Sequence, residues 1–368
     1  MTNNGQKLIP VVVVGTGNVG RALIRQLAEH EALSVVGVSN SRQTAVSLSG
    51  YNQAELLAVA ADGDVARLDS CLQHSAAVLA LRLRLGFPVS PVILADVSTA
   101  DLSEQHRLWL KMGFCVATAN KQPVTGSMRL WNELLSYGPN RYRFECTCGA
   151  WLPVVSLLQD LRATGDQIIR IDAAPSGSLG YIMSACDGAE DGSGQCLTSA
   201  ILTARELGFT EPDPRDDLSL KDMARKALIL ARLAGQKIEL ADIAIQSLVP
   251  PEMSSLSLPE FLDHLKRGSG FEALAARLVA VRGQSEAEST GQVLRCLVSV
   301  QSGSVQVGLQ EVPANGSFGR LTGTTNTFHI TTKRCATSRL AVYGPGAGAE
   351  VTAAGVLSDI LRIAATLR

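Results

Sequence analysis

The sequence of 368 residues lacks the features that mark several classes of protein. Its 33 basic and 34 acidic residues leave a net charge of -1, which offers no electrostatic footprint for nucleic acid or an anionic membrane surface. No run approaches the roughly 18 uncharged apolar residues of a membrane-spanning helix, and residues 1–8, ahead of the first predicted strand, are too few for a signal peptide. The eight cysteines form no CxxC pair and no zinc-spaced Cys/His cluster, so we expect buried thiols in a reducing compartment. We therefore predict a cytoplasmic protein with neither a nucleic-acid nor a membrane partner.

Apolar residues make up 46% of the chain and charged residues 18%, enough for a sizeable core in about two domains. The amino-terminal third alternates apolar runs with amphipathic segments, as βαβ units do. Residues 11–14 are four valines, the pattern of a strand buried on both faces of a parallel sheet. Further strands are expected at residues 33–38, 92–95 and 114–118, and a long helix over residues 218–234. These patterns predict an α/β fold.

A glycine-rich loop follows the valine strand directly and opens a predicted helix. It reads Gly15-Thr16-Gly17-Asn18-Val19-Gly20, the GxGxxG spacing of dinucleotide-binding proteins. In that motif the first glycine permits a tight turn, the second lets backbone approach a pyrophosphate, and the third allows close packing of helix on strand. The strand-to-helix context favours nucleotide binding over a purely structural turn.

The end of the second predicted strand bears on the choice of nucleotide. A carboxylate there bonds the 2′-hydroxyl of NAD, whereas a basic residue accommodates the 2′-phosphate of NADP. The segment Ser39-Asn40-Ser41-Arg42 contains no carboxylate, and Arg42 together with both serines can donate to a phosphate. This favours NADP over NAD, although a solvated loop arginine has the same spacing.

Two further groups of residues carry charge at positions suited to chemistry. The first is an acidic, proline-containing segment that begins at Glu211, in which either Asp216 or Asp217 can cap the helix that follows. Asp222 and Lys226 are four residues apart on that helix and so share one of its faces. Local pattern favours an ordinary capped helix with a surface ion pair; the alternative is a carboxylate cluster that holds a cationic substrate group beside a lysine proton donor. Lys121 follows a strand end, where ligands of parallel sheets bind, but a solvated lysine is nearly as compatible with the pattern.

The remaining aromatic and imidazole side chains carry no motif. His30 and His106 fall in helical stretches and are interpreted as surface or boundary residues. Trp109 and Trp131 lie in amphipathic stretches and are expected in the core.

Taken together, the motifs resemble the homoserine dehydrogenase family, particularly its monofunctional members. The resemblance runs in family order over nearly the whole chain, and its most specific element is the long acidic block. The segments are VVVVGTGNVG from Val11, VVGVSNSR from Val35, ATANKQP from Ala117, FECTCGAWLP from Phe144, SGSLGYIMS from Ser176, GFTEPDPRDDLSLKDMARK from Gly208 and GPGAGAEVTAAGVL from Gly344.

The resemblance implies reversible, NADPH-linked reduction of L-aspartate 4-semialdehyde to L-homoserine, a step in the biosynthesis of threonine, methionine and isoleucine. It assigns Lys226 as the proton donor, with Lys121 as a second catalytic lysine near the nicotinamide. Glu211 and Asp222, grouped with Asp217, would bind the substrate. Besides the glycine loop, Arg42 and Lys121, the cofactor-binding positions are Ser98, Gly208 and Gly348.

The resemblance also implies a monovalent cation, Na+ or K+, on the carbonyl groups of Glu145, Cys148, Ala150 and Leu152. It implies a Rossmann-type doubly wound NAD(P)-binding domain of residues 1–144 and 345–368. An α+β part would comprise a catalytic domain at 154–290 and a dimerisation sheet from 145–153 and 291–344. A homodimer would pair the sheet edges, and the chain length leaves no room for an aspartate kinase or an ACT domain.

This sequence departs from the family pattern at a few positions, and two other functions compete with the main one. Trp151 stands where the family commonly has glycine, Ser178 where it has threonine, and Pro345 stiffens the last glycine loop. One alternative is a catalytically idle NADP-binding homologue. The other is a cysteine-dependent semialdehyde dehydrogenase, which would need an activated thiol near a base.

Overall fold

The valine run at residues 11–14 forms the centre of a mainly parallel sheet, as its pattern predicts. The structure is a computed structural model that describes residues 2–3, 6–73, 76–88, 91–187, 194–283 and 291–367. Contacts divide the chain into two units, one of Met1–Pro153 with Gly348–Arg368 and one of Val154–Ala347. The predicted domain boundary at residue 290 lies outside the described residues, and the finer three-part division stays a prediction.

The first unit combines short strands with helices in alternation. Its strands are β1 (Thr2–Asn3), β2 (Gln6–Lys7), β3 (Ile9–Val14), β4 (Leu33–Ser39), β5 (Gln43–Val46), β6 (Cys71–Gln73), β7 (Ile93–Asp96), β8 (Cys115–Thr118) and β9 (Tyr142–Arg143). Its helices are α1 (Asn18–Ala28), α2 (Gln53–Asp62), α3 (Ala76–Gly86), α4 (Ser103–Lys111), α5 (Lys121–Val124), α6 (Met128–Leu135), α7 (Cys146–Gly149) and the carboxyl-terminal α16 (Ala349–Ala365), with a 3-10 turn at Val65–Arg67.

The main sheet of this unit has the order β6-β5-β4-β3-β7-β8-β9 in the described part of the chain. Neighbouring strands in the run β4-β3-β7-β8-β9 pair in parallel. At one edge of the sheet, β5 pairs antiparallel with β4, and β6 pairs antiparallel with β5. Every residue of β3 is buried, as a strand with helices on both faces requires. The core also includes Ala353, Val356 and Ile360, so α16 belongs to this unit. The carboxyl ends of β3, β4, β7 and β8 therefore share one edge, where such sheets bind ligands.

The second unit contains an antiparallel sheet and a group of helices. Its helices are α8 (Val155–Ala163), α9 (Gly177–Ala185), α10 (Leu197–Glu206), α11 (Pro214–Leu218), α12 (Lys221–Leu233), α13 (Pro251–Ser254), α14 (Leu258–Lys266) and α15 (Glu272–Gly283), with a 3-10 turn at Leu240–Asp242. Its strands are β10 (Ile168–Ala174), β11 (Ala244–Ile245), β12 (Gln292–Gln301), β13 (Ser304–Pro313), β14 (Thr325–Thr332) and β15 (Leu340–Pro345). Their order in the sheet is β11-β13-β12-β10-β14-β15.

The helix predicted over residues 218–234 corresponds to α12, which starts three residues later than expected, at Lys221. Asp213 accepts a hydrogen bond from the Arg215 N–H and Pro214 occupies the first turn, so a separate short helix, α11, begins earlier than the apolar pattern indicates. Leu220 then adopts a left-handed backbone with φ 59° while its side chain is buried, and α12 starts only at Lys221. Among the described residues, every helix is too short or too polar to cross a membrane.

Candidate active site

The glycine loop has the geometry that its sequence predicts. Gly15 has a φ of 106°, and a Cβ atom on Gly20 would lie 2.0 Å from the carbonyl oxygen of Gly15, so both positions exclude a side chain. By contrast, no atom of the described residues lies within 4 Å of a Cβ built on Gly17. Gly17 is also the N-cap of α1, whose amino terminus receives no side-chain cap from the described residues. The loop therefore fits a nucleotide, with open space and free N–H groups where a diphosphate would lie.

The end of β4 forms a cleft of about 420 Å³, and its lining includes Asn40, Arg42 and Gln43 together with Asp62 and Asp64. Asn40 accepts hydrogen bonds from the backbone N–H groups of Arg42 and Gln43, which fixes the turn and leaves Arg42 exposed. Asp62 is paired with a neighbouring arginine, which lowers its pKa to about 2. The cleft thus offers one guanidinium to a bound phosphate and contains two carboxylates as well.

The expectation that both serines beside Arg42 can reach a phosphate is wrong for Ser39. Its side chain is fully buried, and its hydroxyl bonds to the hydroxyl of Thr44 at 2.8 Å. β4 is buried on both faces, so Ser39 at its last position lies in the core, while Ser41 is exposed beyond the strand.

At the ends of β7 and β8, Ser98 and Asn120 are held by the buried carboxylate of Asp96. Ser98 donates to Asp96 Oδ1 through both its N–H, at 2.9 Å, and its hydroxyl, at 2.8 Å. Asn120 Nδ2 donates to Asp96 Oδ2 at 2.9 Å, and Asn120 is the N-cap of α5, which begins at Lys121. The structure thus brings Lys121, singled out because it follows a strand end, and Ser98, assigned by the resemblance, to one edge of the sheet. Sequence reasoning missed Asp96, whose one signal was its place at the end of an apolar strand.

The interpretation of His106 as a surface or boundary residue is wrong. Its side chain is 0% exposed and its Nε2 lies 3.0 Å from Asp96 Oδ2. The helical stretch of α4 gave a surface reading because neighbouring positions are polar, but the inward face of that helix also buries Trp109. The core positions of Trp109 and Trp131 were predicted correctly.

The segment with the four predicted carbonyl ligands includes a short helix, and all four of these residues are buried. The residues are Glu145, Cys148, Ala150 and Leu152, and the helix is α7. Ala150 has a φ of 51°, a left-handed value uncommon for alanine. The Glu145 N–H donates to the carboxylate of Asp359 on α16, whose pKa burial raises to about 7.

The structure also places Trp151, which departs from the family pattern, and Gly348, a predicted cofactor contact. The side chain of Trp151 is 50% exposed, and its Cα and Cβ pack against Gly355, where no larger residue would fit. The indole therefore does not displace the four buried residues. Gly348, a predicted cofactor contact, is the N-cap of α16 with a φ of 128°, a conformation that favours glycine.

In the second unit, the loop that carries Glu211 is fixed by a carboxylate. Asp217, on α11, accepts a hydrogen bond from the hydroxyl of Ser178 at 2.7 Å and another from the Glu211 backbone N–H at 2.9 Å. Burial is the main cause that raises the pKa of Asp217 above its usual 3.8. The Glu211 side chain itself is exposed, while Gly208 ends the preceding helix with a φ of 72°. Glu211 is thus an exposed residue whose backbone is anchored by Asp217.

Lys226 occupies a protected position on α12. Its Nζ lies 2.9 Å from Asp222 Oδ2, one turn earlier, and donates to the carbonyl oxygen of Pro175 at 2.7 Å. The lysine side chain is only 12% exposed, whereas that of Asp222 is 50% exposed. This is more than the surface ion pair that local pattern favoured, because Pro175 comes from the end of β10, remote in sequence. A lysine ammonium carries three hydrogens, and the contacts with these two described residues use two of them.

All eight cysteines lie in the described part of the chain and are free thiols. Five are buried, as expected, but Cys196 is exposed. Burial raises the pKa of Cys115 and Cys146, and that of Cys296 to about 12, so these three are poor nucleophiles. No cluster of three His, Cys, Asp or Glu side chains suited to a metal ion occurs among the residues that the structure describes.

The first unit has a parallel sheet with an open glycine loop, and the second has a shielded lysine next to carboxylates. Both features are those expected of a nucleotide-dependent oxidoreductase. Residues 153–361 match the family model described as homoserine dehydrogenase. The chain belongs to the homoserine dehydrogenase family, whose members are oxidoreductases that act on a CH–OH group. The family and the fold class predicted from the motifs are both confirmed.

Two curated relatives illustrate the match. The chain is 33% identical to the homoserine dehydrogenase of Saccharomyces cerevisiae, covering 98% of this chain and 99% of the relative. It is 35% identical to the chloroplastic bifunctional aspartokinase/homoserine dehydrogenase 1 of Zea mays, covering 98% of this chain. The chain spans only 39% of the length of that bifunctional relative.

Solved structures share the fold. A crystal structure of a Candida auris protein of unknown function has a TM-score of 0.85 and 29% identity, with 98% of this chain and 99% of the other covered. A hyperthermophilic archaeal homoserine dehydrogenase in complex with NADPH has a TM-score of 0.73 and 23% identity, with 98% of each chain covered. The second likeness, at this identity, concerns the fold alone.

Proposed function

We propose that this chain catalyses the reversible, NADPH-dependent reduction of L-aspartate 4-semialdehyde to L-homoserine. The observation that carries the proposal is the position of Lys226, shielded from solvent and held by the Asp222 carboxylate and the Pro175 carbonyl. Family membership suggests the substrate class, and the contacts of Lys226 support it as the proton donor.

The chemistry needs an acid at the carbonyl oxygen of the aldehyde. NADPH supplies the hydride when bound. As the carbonyl carbon is reduced, negative charge builds on its oxygen, and the Lys226 ammonium both stabilises that charge and gives up a proton to it. Asp222 and Pro175 fix the direction of the ammonium before the substrate arrives, so little reorganisation is needed during the reaction. Lys121 would act as the second lysine of the reaction.

The substrate also carries an α-ammonium group that requires an anionic partner. Glu211 provides an exposed carboxylate on a backbone that Asp217 anchors. Asp217 uses its oxygens on Ser178 and on the Glu211 N–H, which supports a role in holding the substrate-binding loop in shape. The half-exposed Asp222 can meet the substrate as well as orient Lys226.

For the cofactor, NADP(H) is favoured over NAD(H) because Arg42 lines the cleft at the end of β4. The open space at Gly17 and the edge formed by Ser98 and Lys121 are consistent with a dinucleotide along the sheet. The solved archaeal homoserine dehydrogenase contains NADPH, which agrees with this choice. The carbonyl groups of residues 145–152 are proposed to hold Na+ or K+, since hard cations prefer oxygen ligands.

The chain is also proposed to form a homodimer. β15 is the last strand of the sheet in the second unit, and Tyr343 on it is 68% exposed. An open edge of six residues with an exposed aromatic side chain is expected to pair with another chain.

The test is homoserine-dependent reduction of NADP+ and of NAD+, with Lys226→Met and the control Lys221→Met. Lys221 is exposed on the same helix, so its replacement removes an equal charge away from the proposed chemistry. We expect kcat to fall about 10²–10³-fold in Lys226→Met and to change little in the control.

Three outcomes would each count against the proposal. Equal rates in Lys226→Met and in the unaltered chain would remove Lys226 as the acid. Absence of turnover in a chain that still binds NADPH would favour the idle homologue instead. Loss of activity on thiol alkylation, with Cys196 as the exposed candidate, would favour the cysteine-dependent alternative.

A further inference from the structure

A single buried carboxylate connects the two loops at the proposed cofactor edge. Asp96 is 0% exposed and accepts four hydrogen bonds: two from Ser98, one from Asn120 Nδ2 and one from His106 Nε2. A fully buried carboxylate is stable only when donors surround it, so all four contribute to keeping it in place. His106 is the one donor that does not itself lie in a loop at the sheet edge.

The loops that Asp96 joins are the ones that carry the predicted cofactor contacts. Asn120 Nδ2 also donates to the Ala100 carbonyl oxygen at 2.7 Å, and its Oδ1 accepts from the Gln122 N–H at 3.0 Å. Asn120 therefore links the loop after β7 to the first turn of α5. Because Lys121 follows Asn120 directly, its backbone direction depends on this link.

His106 supports Asp96 from the opposite side. Its Nδ1 lies 3.1 Å from the hydroxyl of Tyr142 on β9. Burial raises the pKa of Tyr142 well above its usual 10, so the hydroxyl stays protonated and can donate a hydrogen bond to Nδ1 of a neutral imidazole. The remaining ring nitrogen then carries the hydrogen that Asp96 accepts. The order of donation is Tyr142 to His106 to Asp96.

We propose that His106 is a positioning residue for the cofactor-binding edge, acting through Asp96 on Ser98 and on the Asn120–Lys121 turn. The inference rests on the proposed function in one respect, namely that Ser98 and Lys121 contact NADP(H). In His106→Leu the carboxylate loses one of four donors and faces an apolar side chain, so the two loops lose their common anchor.

The experiment compares His106→Leu with His106→Gln, whose amide can still donate, and with Trp109→Phe. Trp109 is a matched control because it is buried on the same helix, its ring centroid lies 5.4 Å from that of His106, and it makes no bond to Asp96. The readouts are the Kd for NADPH from nicotinamide fluorescence, the thermal midpoint, and kcat and KM for NADP+.

We expect the Kd and KM for the cofactor to rise about tenfold in His106→Leu, because this variant loses one hydrogen bond to the charged carboxylate of Asp96. His106→Gln should restore most of the affinity. Trp109→Phe should lower the thermal midpoint but keep the Kd within about twofold of that of the unaltered chain, because this variant loses only packing contacts.

A purely structural role for His106 would appear as equal Kd values in His106→Leu and Trp109→Phe, and would overturn the inference. Should His106→Leu fail to fold, Tyr142→Phe removes one hydroxyl from the same chain of bonds, and an unchanged Kd in Tyr142→Phe would likewise overturn it. The fluorescence titration needs no turnover. Weaker NADPH binding by His106→Leu in a chain that does not oxidise homoserine would therefore support the inference while refuting the proposed function.

Discussion

Replacement of Gly17 or Gly20 by alanine separates the two roles of glycine in the nucleotide loop. The two residues lie three positions apart, and the same methyl group is added at each. At Gly20 the new Cβ would lie 2.0 Å from the Gly15 oxygen and 2.8 Å from its carbonyl carbon, both backbone atoms that cannot turn aside. At Gly17 the described residues leave 4 Å free around it.

The consequences for stability differ accordingly. Gly20→Ala must push α1 away from the loop, which we expect to destabilise the fold by about 1–3 kcal/mol and to lower the thermal midpoint by several degrees. Gly17 has φ -72° and ψ -167°, values that alanine adopts without strain. There the reduced entropy of the unfolded chain offsets the poorer N-cap, so the free energy of unfolding should change by less than about 0.5 kcal/mol.

The consequences for binding run the other way. A methyl group at Gly17 occupies the space through which a diphosphate reaches the N–H groups of α1, and loss of a hydrogen bond to a charged group corresponds to about 1.5–3 kcal/mol. Gly17→Ala should therefore bind NADPH about 10–100-fold more weakly while melting near the temperature of the unaltered chain. Thermal unfolding without cofactor and a fluorescence titration with NADPH measure the two effects. Unchanged affinity in Gly17→Ala would refute the placement of the diphosphate, and a large loss of stability would refute the open space.

Other predictions concern cofactor choice, pH and assembly. Arg42→Ala should raise the KM for NADP+ about tenfold and leave that for NAD+ nearly unchanged in steady-state assays, because only NADP+ carries the phosphate that Arg42 would meet; an equal rise for both would exclude that contact. The hydrogen bond from Arg215 lowers the pKa of Asp213 below 3.8, so the stabilisation is present above that value and is lost as the pH falls through the folded pKa. Asp213→Asn should lower the free energy of unfolding in urea by about 0.5–1 kcal/mol at pH 7 and by less near pH 3, whereas a difference independent of pH would contradict the ion pair. Tyr343→Asp should shift the sedimentation of the chain toward a monomer, and an unchanged mass would place any interface elsewhere.

Local sequence patterns predicted the first unit well because its strands and loop are defined by neighbours in the chain. The valine strand, the glycine loop and the helix after it form one contiguous βα element whose hydrophobic period and glycines are visible directly. His106 shows where such reasoning stops. Its burial depends on Asp96, ten residues earlier, and on Tyr142, 36 residues later, and no local period reports such partners.

The second unit was less accessible from sequence. β10 and β14 contain both polar and apolar residues, and the residues that pair are more than 150 positions apart in sequence. The local pattern therefore predicted neither strand. The break before α12 depends on the left-handed backbone of Leu220, a residue type that rarely adopts it. Non-local pairing and backbone strain are properties of the folded chain and leave little trace in a single sequence.

The Asp222–Lys226 pair shows why a catalytic role for Lys226 could not be argued from the four-residue spacing alone. Four residues apart on a helix, an aspartate and a lysine form an ion pair worth a few tenths of a kcal/mol on most exposed surfaces, with no role in catalysis. What distinguishes this pair is the Pro175 carbonyl, which accepts from the same ammonium and lies on the chain 51 residues before Lys226. Together with Asp222, that contact restrains the lysine at two points. A lysine restrained in this way can stabilise a developing alkoxide without first losing the freedom of a mobile side chain, and this property follows from the packing of α12 near the end of β10 rather than from its own sequence.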